Sequence, residues 1–333
     1  MNYDTTLKAV GRISVSGVLA FLFLTLFCFF YYNVPAHEES SDGSSDYKWE
    51  ANAFYSRGTE GFAWGKTNND GYLNAFDYSK ETPLDILIMG SSHMEGFQVT
   101  LKESTAGRLN AMFGRNSAYN IGISGHGFLT CVGNLEAALK KYRPSKYVVM
   151  EVGNLSFSEE ALIGAINGET KEIASHTGGI LGLLQRNQYL RLLYAQMKNY
   201  RSRSAGDAVE EDASAIPGVN DERLLDELLA KASRTVKDAD ADLIIFYHPP
   251  TAVNQDGDIF FPDNLALSEQ FARCCENNGI RFLDMRERFQ SEYESRYVLP
   301  HGFSNTTVGA GHLNKYGHNM IAEELYRMIW EET

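Results

Sequence analysis

Cysteine is scarce in this chain: 333 residues include only four, Cys28, Cys131, Cys274 and Cys275. Cys28 falls inside a hydrophobic N-terminal run. The other three are odd in number, have no metal-ligand spacing, and include an adjacent pair whose mutual disulfide would be strained. A disulfide framework and a zinc site are therefore not expected, and these cysteines read as small hydrophobes on helix faces. Positive charge is also short. Thirty Lys and Arg face 43 Asp and Glu, for a formal net charge of −13, which argues against nucleic acid as a partner, since phosphates demand a basic face. No internal repeat is present. Hydrophobic residues at 44% and charged residues at 22% are in the ordinary range for a globular protein with a core.

One stretch has no charge at all. Ile13 to Tyr32 reads ISVSGVLAFLFLTLFCFFYY, about 20 residues, the length that crosses a hydrocarbon core as a helix. Lys8 and Arg12 precede it, and His37, Glu38, Glu39 and Asp42 follow. The positive-inside rule then leaves residues 1–12 in the cytoplasm and residues 13–34 as an uncleaved anchor. A signal peptide cleaved near Ala36, with secretion of the remainder, is the rival reading, although the apolar run exceeds the usual signal length. Either way the rest of the chain is expected outside the cytoplasm.

Residues 35–80 read as a linker and lead-in. HEESSDGSSDYK over 37–48 is polar and flexible in composition, and an aromatic, glycine-rich stretch with the turn signal Asn69-Asp70-Gly71-Tyr72 follows. Residues 81–333 alternate short apolar runs with amphipathic segments. Strands are expected at Leu84–Gly90, Ala118–Ile123, Tyr147–Val152, Asp242–Tyr247 and Arg281–Asp284. Helices are expected over Leu101–Phe113, Leu129–Tyr142, Asp221–Val236, Asn264–Asn278 and Asn314–Trp330. Residues 155–220 are less regular, with an apolar and basic stretch at Leu183–Arg203 and a loop-like tail at Ser204–Asn220. In the basic stretch Arg186, Arg191, Lys198, Arg201 and Arg203 alternate with Leu190, Leu193, Tyr194 and Met197; this is either a solvated helix face or a surface for a membrane or an anionic glycan. Uniformly apolar strands between amphipathic helices predict an α/β, three-layer sandwich of about five parallel strands. Ligands of such sheets bind beyond the carboxyl ends of the strands.

Two segments at that edge carry chemistry. Gly90-Ser91-Ser92-His93-Met94-Glu95-Gly96 follows the first strand, where a glycine-flanked turn exposes a serine hydroxyl and points backbone N–H groups at a developing oxyanion. Serine there is equally an N-cap. Gly311-His312-Leu313-Asn314 enters the last helix, where His312 can reach over the strand ends as a general base; taken alone it is equally a surface-loop histidine. The pair is more specific than either part. His248 follows the fourth strand and His93 adjoins the serine, so both are candidates to line the site. His318 reads as a helix-start residue.

With these residues in view, the segment from about residue 80 to 333 resembles the SGNH, or GDSL-like, hydrolase family. Ile88-Met89-Gly90-Ser91-Ser92-His93 is similar to its first block and implies Ser92 as nucleophile. Asn120-Ile121-Gly122-Ile123-Ser124-Gly125 resembles the second, implying the Gly122 N–H in the oxyanion hole beside that of Ser92. Gly153-Asn154 resembles the third and implies Asn154 as a side-chain donor. His312-Leu313-Asn314 with Gly317-His318 resembles the last and implies His312 as base. Ser91 replaces the aspartate of the first block. Where the third block normally reads Gly-x-Asn-Asp, here the asparagine directly follows the glycine and Leu155 stands at the asparagine's expected position. The family's acid lies three residues before the histidine, and that position is Gly309. A backbone carbonyl, a distant carboxylate or a Ser–His dyad remain as alternatives.

The lead-in and Tyr247-His248-Pro249 are similar to membrane-attached members that act on cell-surface polysaccharides. The resemblance implies a serine esterase or O-acyltransferase, acting on acetyl groups of a surface or extracellular polysaccharide, without metal or organic cofactor. Its partners would be an acylated carbohydrate or other small ester, the membrane, and polysaccharide machinery or a membrane-bound acyltransferase. Two other readings stand beside it: a catalytically silent domain of the same fold that binds glycan or a partner, and a lipase or thioesterase.

Overall fold

A computed structural model describes residues 3–38, 48–169, 187–204 and 220–330. Most of the expected polar linker, Arg186 and nearly all of the 204–220 tail lie outside these residues.

Five parallel strands form the central sheet. In spatial order they are Ala118–Asn120, Ile86–Met89, Tyr147–Val152, Asp242–Tyr247 and Arg281–Asp284. Numbered along the chain this order is 2-1-3-4-5, the flavodoxin-like arrangement, with its switch point between the first and third strands. The strands are apolar throughout, yet their two faces separate cleanly. Leu87, Met89, Val148, Met150, Ile245 and Tyr247 pack beneath helices Leu135–Tyr142, Glu222–Lys237 and Leu265–Asn277. Ile86, Ile88, Val149, Ile244 and Phe246 face helices Thr105–Phe113 and Lys315–Trp330. Alternation with a period of two thus sends successive side chains into two cores. The three-layer α/β expectation holds.

The strands match the sequence reading to within two or three residues. The single helix expected over Leu129–Tyr142 is two, Phe128–Gly133 and Leu135–Tyr142, divided at Asn134. Helix Arg286–Arg296 was not expected: it buries only Phe289 and Glu292, too few residues for an apolar stripe. All four cysteines are buried and free.

Residues 48–80 fold onto the α/β body. Phe54–Arg57 and Ala63–Lys66 form an antiparallel hairpin, extended on its free edge by Tyr32–Asn33. Trp49, Tyr55 and Leu73 pack with Phe97. Asn74 exchanges two hydrogen bonds with the Asn120 backbone, and Asp70 accepts from Lys141 Nζ and Tyr142 OH. The Asn69–Tyr72 turn closes as its sequence suggests, with Gly71 at φ +81° and Asn68 Oδ1 taking the N–H groups of Asp70 and Tyr72. A boundary at residue 81 therefore divides one packed unit. Before it all stands the helix Tyr3–Tyr31, of which Thr6–Tyr31 is long and apolar enough to cross a membrane.

Candidate active site

Ser92 sits where the first strand breaks. Gly90 must be glycine, because a Cβ there would stand 2.4 Å from Glu151 Oε2. That carboxylate takes the Ser91 N–H at 2.6 Å and the Ser91 hydroxyl at 2.7 Å. Ser91 then caps the four-residue helix Ser92–Glu95, and Gly96 ends it at φ +74°. As the first residue of that helix, Ser92 has an N–H with no partner inside it. Ser91 thus holds the turn, and Ser92 is left to present its side chain at the switch point.

His312 is held from the opposite side. Asn314 caps the closing helix, accepting from the Tyr316 and Gly317 N–H groups while its amide donates to the Leu299 and Gly302 carbonyls. His312 Nε2 lies 2.9 Å from Ser92 Oγ. Its Nδ1 lies 2.7 Å from Glu60 Oε2, and its backbone N–H donates to Glu60 Oε1 at 2.9 Å. An ionised carboxylate only accepts, so Nδ1 carries the proton and Nε2 offers its lone pair to the Ser92 hydroxyl. Burial alone would raise the Glu60 carboxyl. The hydrogen bonds and charge of His312, with a smaller contribution from Arg57, outweigh it and hold Glu60 below the usual carboxylate range.

Glu60 is the carboxylate partner of His312 that local sequence could not supply. It stands at the tip of the lead-in hairpin, in Gly58-Thr59-Glu60-Gly61. Asn305 clamps that tip: its amide donates to the Gly58 and Gly61 carbonyls and its Oδ1 accepts the Gly61 N–H. Gly61, at φ +71°, passes so close to the Gln98 carbonyl that a Cβ would come within 2.4 Å. Gly309, where the resemblance looked for an acid, is at φ +86°. Its N–H donates to the His301 carbonyl, and its own carbonyl accepts from Thr251.

The expected oxyanion donors fare differently. The Gly122 N–H is already committed to Asn120 Oδ1 at 2.9 Å, and Gly122 packs against the serine helix, where a Cβ would meet the Glu95 N at 2.8 Å. It is a packing glycine, and its assignment as donor is corrected. Three residues on, Gly125 is exposed at φ +86°, and its N–H makes no hydrogen bond among the described residues. Asn154 is exposed; its Oδ1 accepts the Ser156 N–H.

His248 is buried and His93 half-buried, and the two stack in a row beside His312. The His93 ring lies 5.0 Å from that of His312 and 4.5 Å from that of His248. Buried His248 meets Glu151 Oε1 at 2.8 Å, and His301, which sequence reasoning passed over, continues the row through His248 and Thr251. Burial first, then the neighbouring histidines, hold His93 and His301 well below the ordinary value. Burial would raise Glu151, but His248 and Ser91 hold it down. His93, His248 and His301 bring ring nitrogens within 4.8 Å of one another. However, His93 Nδ1 accepts the Leu313 N–H, which puts its proton on Nε2 and removes it as a metal ligand in this arrangement. His318 is buried, with Nδ1 taking the Thr105 N–H, and burial lowers it to about 3.

No protein-family model matches the chain, and no curated protein matches it. Solved structures do. An acetyl xylan esterase, AlAXEase, matches at 13% identity and TM-score 0.42, covering 73% of this chain and 99% of its own. The psychrotrophic esterase EstA from Pseudoalteromonas sp. matches at 16% and 0.39, over 74% and 98%. A GDSL-like lipase from Bacteroides thetaiotaomicron matches at 13% and 0.38, over 74% and 88%. At such identity and overlap the likeness assigns neither activity nor substrate to this chain.

Proposed function

We propose that the protein is a membrane-anchored serine esterase or O-acyltransferase working outside the cytoplasm. The observation that carries this reading is the Ser92–His312–Glu60 relay, with its two short contacts, at the switch point of a parallel sheet. Ser92 Oγ attacks the ester carbonyl while its proton passes to His312 Nε2, and the imidazolium that forms is stabilised by Glu60. The oxyanion is held by the Ser92 N–H, with the Gly125 N–H and the Asn154 amide as further donors. His312 returns the proton to the departing alcohol, then takes one from the water or sugar hydroxyl that releases the acyl group from Ser92. Resemblance to surface-polysaccharide enzymes and the apolar helix before the domain favour acetyl groups on a surface or extracellular polysaccharide. The silent-scaffold reading leaned on the missing acid at Gly309, and Glu60 removes that support.

A fluorophosphonate probe tests the proposal, because only an activated serine reacts with it. Wild type is expected to label and Ser92→Ala to lose labelling and turnover of a short acyl ester. Ser91→Ala, which forfeits one hydrogen bond to Glu151, is expected to keep a measurable fraction. Labelling that survives Ser92→Ala refutes the assignment.

A further inference from the structure

The polar segment after the apolar helix suggests a flexible tether, yet the catalytic domain is fastened to the helix before that segment begins. The Gly58 N–H donates to the Tyr31 carbonyl at 2.7 Å, and the Ser56 hydroxyl to the Phe29 carbonyl at 3.0 Å. Phe54 stacks on Phe29 with ring centroids 5.0 Å apart. Tyr32 and Asn33 then pair with Arg57 and Ser56 as the edge strand of the hairpin that carries Glu60. Gly58 is two residues from Glu60, so Ser92 stands no more than about 25 Å from the end of the helix.

A second element adjoins the same helix. The start of the Gln188–Ser204 helix packs against it, with Tyr189 edge-on to Phe21 at 6.1 Å, Asn187 Nδ2 3.2 Å from Thr25 Oγ1 and Gln188 Nε2 3.3 Å from Asn33 Oδ1. Leu193, Tyr194 and Met197 on this helix are 41%, 45% and 57% exposed. On the hairpin, Phe62 and Trp64 are exposed as an edge-to-face pair. Trp64 is in register with Ser56 and, through it, with Asn33, so it lies two strand spacings, about 10 Å, from the chain leaving the helix. Lys8 and Arg12 lie at the N-terminal end of the Thr6–Tyr31 segment, so the uncharged run Ile13–Tyr32, about 30 Å long as a helix, matches a hydrocarbon core of about 30 Å. The chain therefore leaves the helix near the headgroup level, where aromatic and amphipathic surfaces are favoured.

We infer that the Gln188–Ser204 helix and the Phe62–Trp64 pair rest on the bilayer surface, and that the Ser92–His312–Glu60 relay serves an acyl ester borne by a membrane-resident molecule. This rests on the anchored-esterase reading above. The occupant of the apolar surface is the headgroup–acyl boundary, because both patches are continuous with the helix that enters it. The hairpin joins anchor to chemistry: the same residues that close on Tyr31 present Glu60 to His312.

The full-length protein in lipid nanodiscs tests both halves. With phospholipids brominated near the headgroup end of the acyl chain, part of the tryptophan fluorescence should be quenched. That part should vanish in Trp64→Phe and persist in Trp330→Phe. Quenching that is absent, or indifferent to Trp64, overturns the docking. In the same discs, Leu193→Ser with Met197→Ser should lower kcat/KM for a lipid-borne acyl ester by about tenfold or more, since each side chain loses apolar burial. Turnover of a short water-soluble ester should stay unchanged. Equal loss on both esters, or loss on neither, overturns the membrane-borne substrate. If neither ester is turned over and Ser92 does not label, the esterase reading fails, while the quenching still decides the docking.

Discussion

Replacing Glu60 by glutamine separates a working triad from a chance contact. Glu60 makes two bonds to one residue, Oε2 with His312 Nδ1 and Oε1 with the His312 N–H. Both partners are donors, and only a carboxylate can accept from both. Glutamine has one acceptor. If its oxygen keeps the backbone N–H, its NH2 faces Nδ1 and drives the ring proton to Nε2, where it confronts the Ser92 hydroxyl. If its oxygen turns to Nδ1, two N–H groups collide at the backbone. The base is then lost although shape is kept. The corresponding acid-to-amide change in the serine-protease triad lowers kcat by about 10⁴-fold, or about 5 kcal/mol of barrier. A loss of that order is expected here. Glu60→Ala, which leaves the ring free to choose its tautomer, is expected to be less damaging than Glu60→Gln. Steady-state hydrolysis of a soluble acyl ester and the rate of fluorophosphonate labelling measure both. A glutamine variant within about tenfold of wild type, or an alanine variant worse than glutamine, refutes the argument from tautomer control.

Placing an acid at the family's usual position should not help: at φ +86° Gly309→Asp is expected to cost about 1–2 kcal/mol in backbone strain, lowering Tm without raising kcat. A rate increase would contradict it. Glu95 supplies a pH test away from the relay. Buried and bonded by Trp49 Nε1 and Ser124, its carboxyl is pushed up to about 7 from an ordinary 4.5, chiefly by burial. A raised carboxyl favours the folded state at low pH and loses that advantage as pH climbs from about 4.5 to about 7. Glu95→Gln should therefore raise Tm at pH 8 relative to wild type and change it little or lower it at pH 5, as thermal unfolding across pH would show. A variant no more stable than wild type at pH 8 counts against it.

Much of this molecule was legible in its sequence because the relevant signals are local. Five apolar runs became five strands. Leu224, Leu225, Leu228, Leu229, Ala232 and Val236 share the buried face of one helix because helical geometry repeats every 3.6 residues. The serine turn announced itself through Gly90 and Gly96, and the placement of His312 followed from the helix it precedes. What only the tertiary structure decided was contact between segments with no local relation. Glu60 meets His312 across 252 positions, and in sequence it is one of 43 Asp and Glu residues with nothing periodic to mark it. Gly122 matched its motif, yet lost its N–H to the side chain of Asn120. His301 entered the row behind the serine because Thr251 and His248 converge on it. Hydrophobic periodicity records which face of an element is dry. The position of a lone polar group depends on how loops from distant elements close on one another, and here Asn305 on one loop and Tyr31 at the end of the apolar helix fix the hairpin that brings the acid to the histidine.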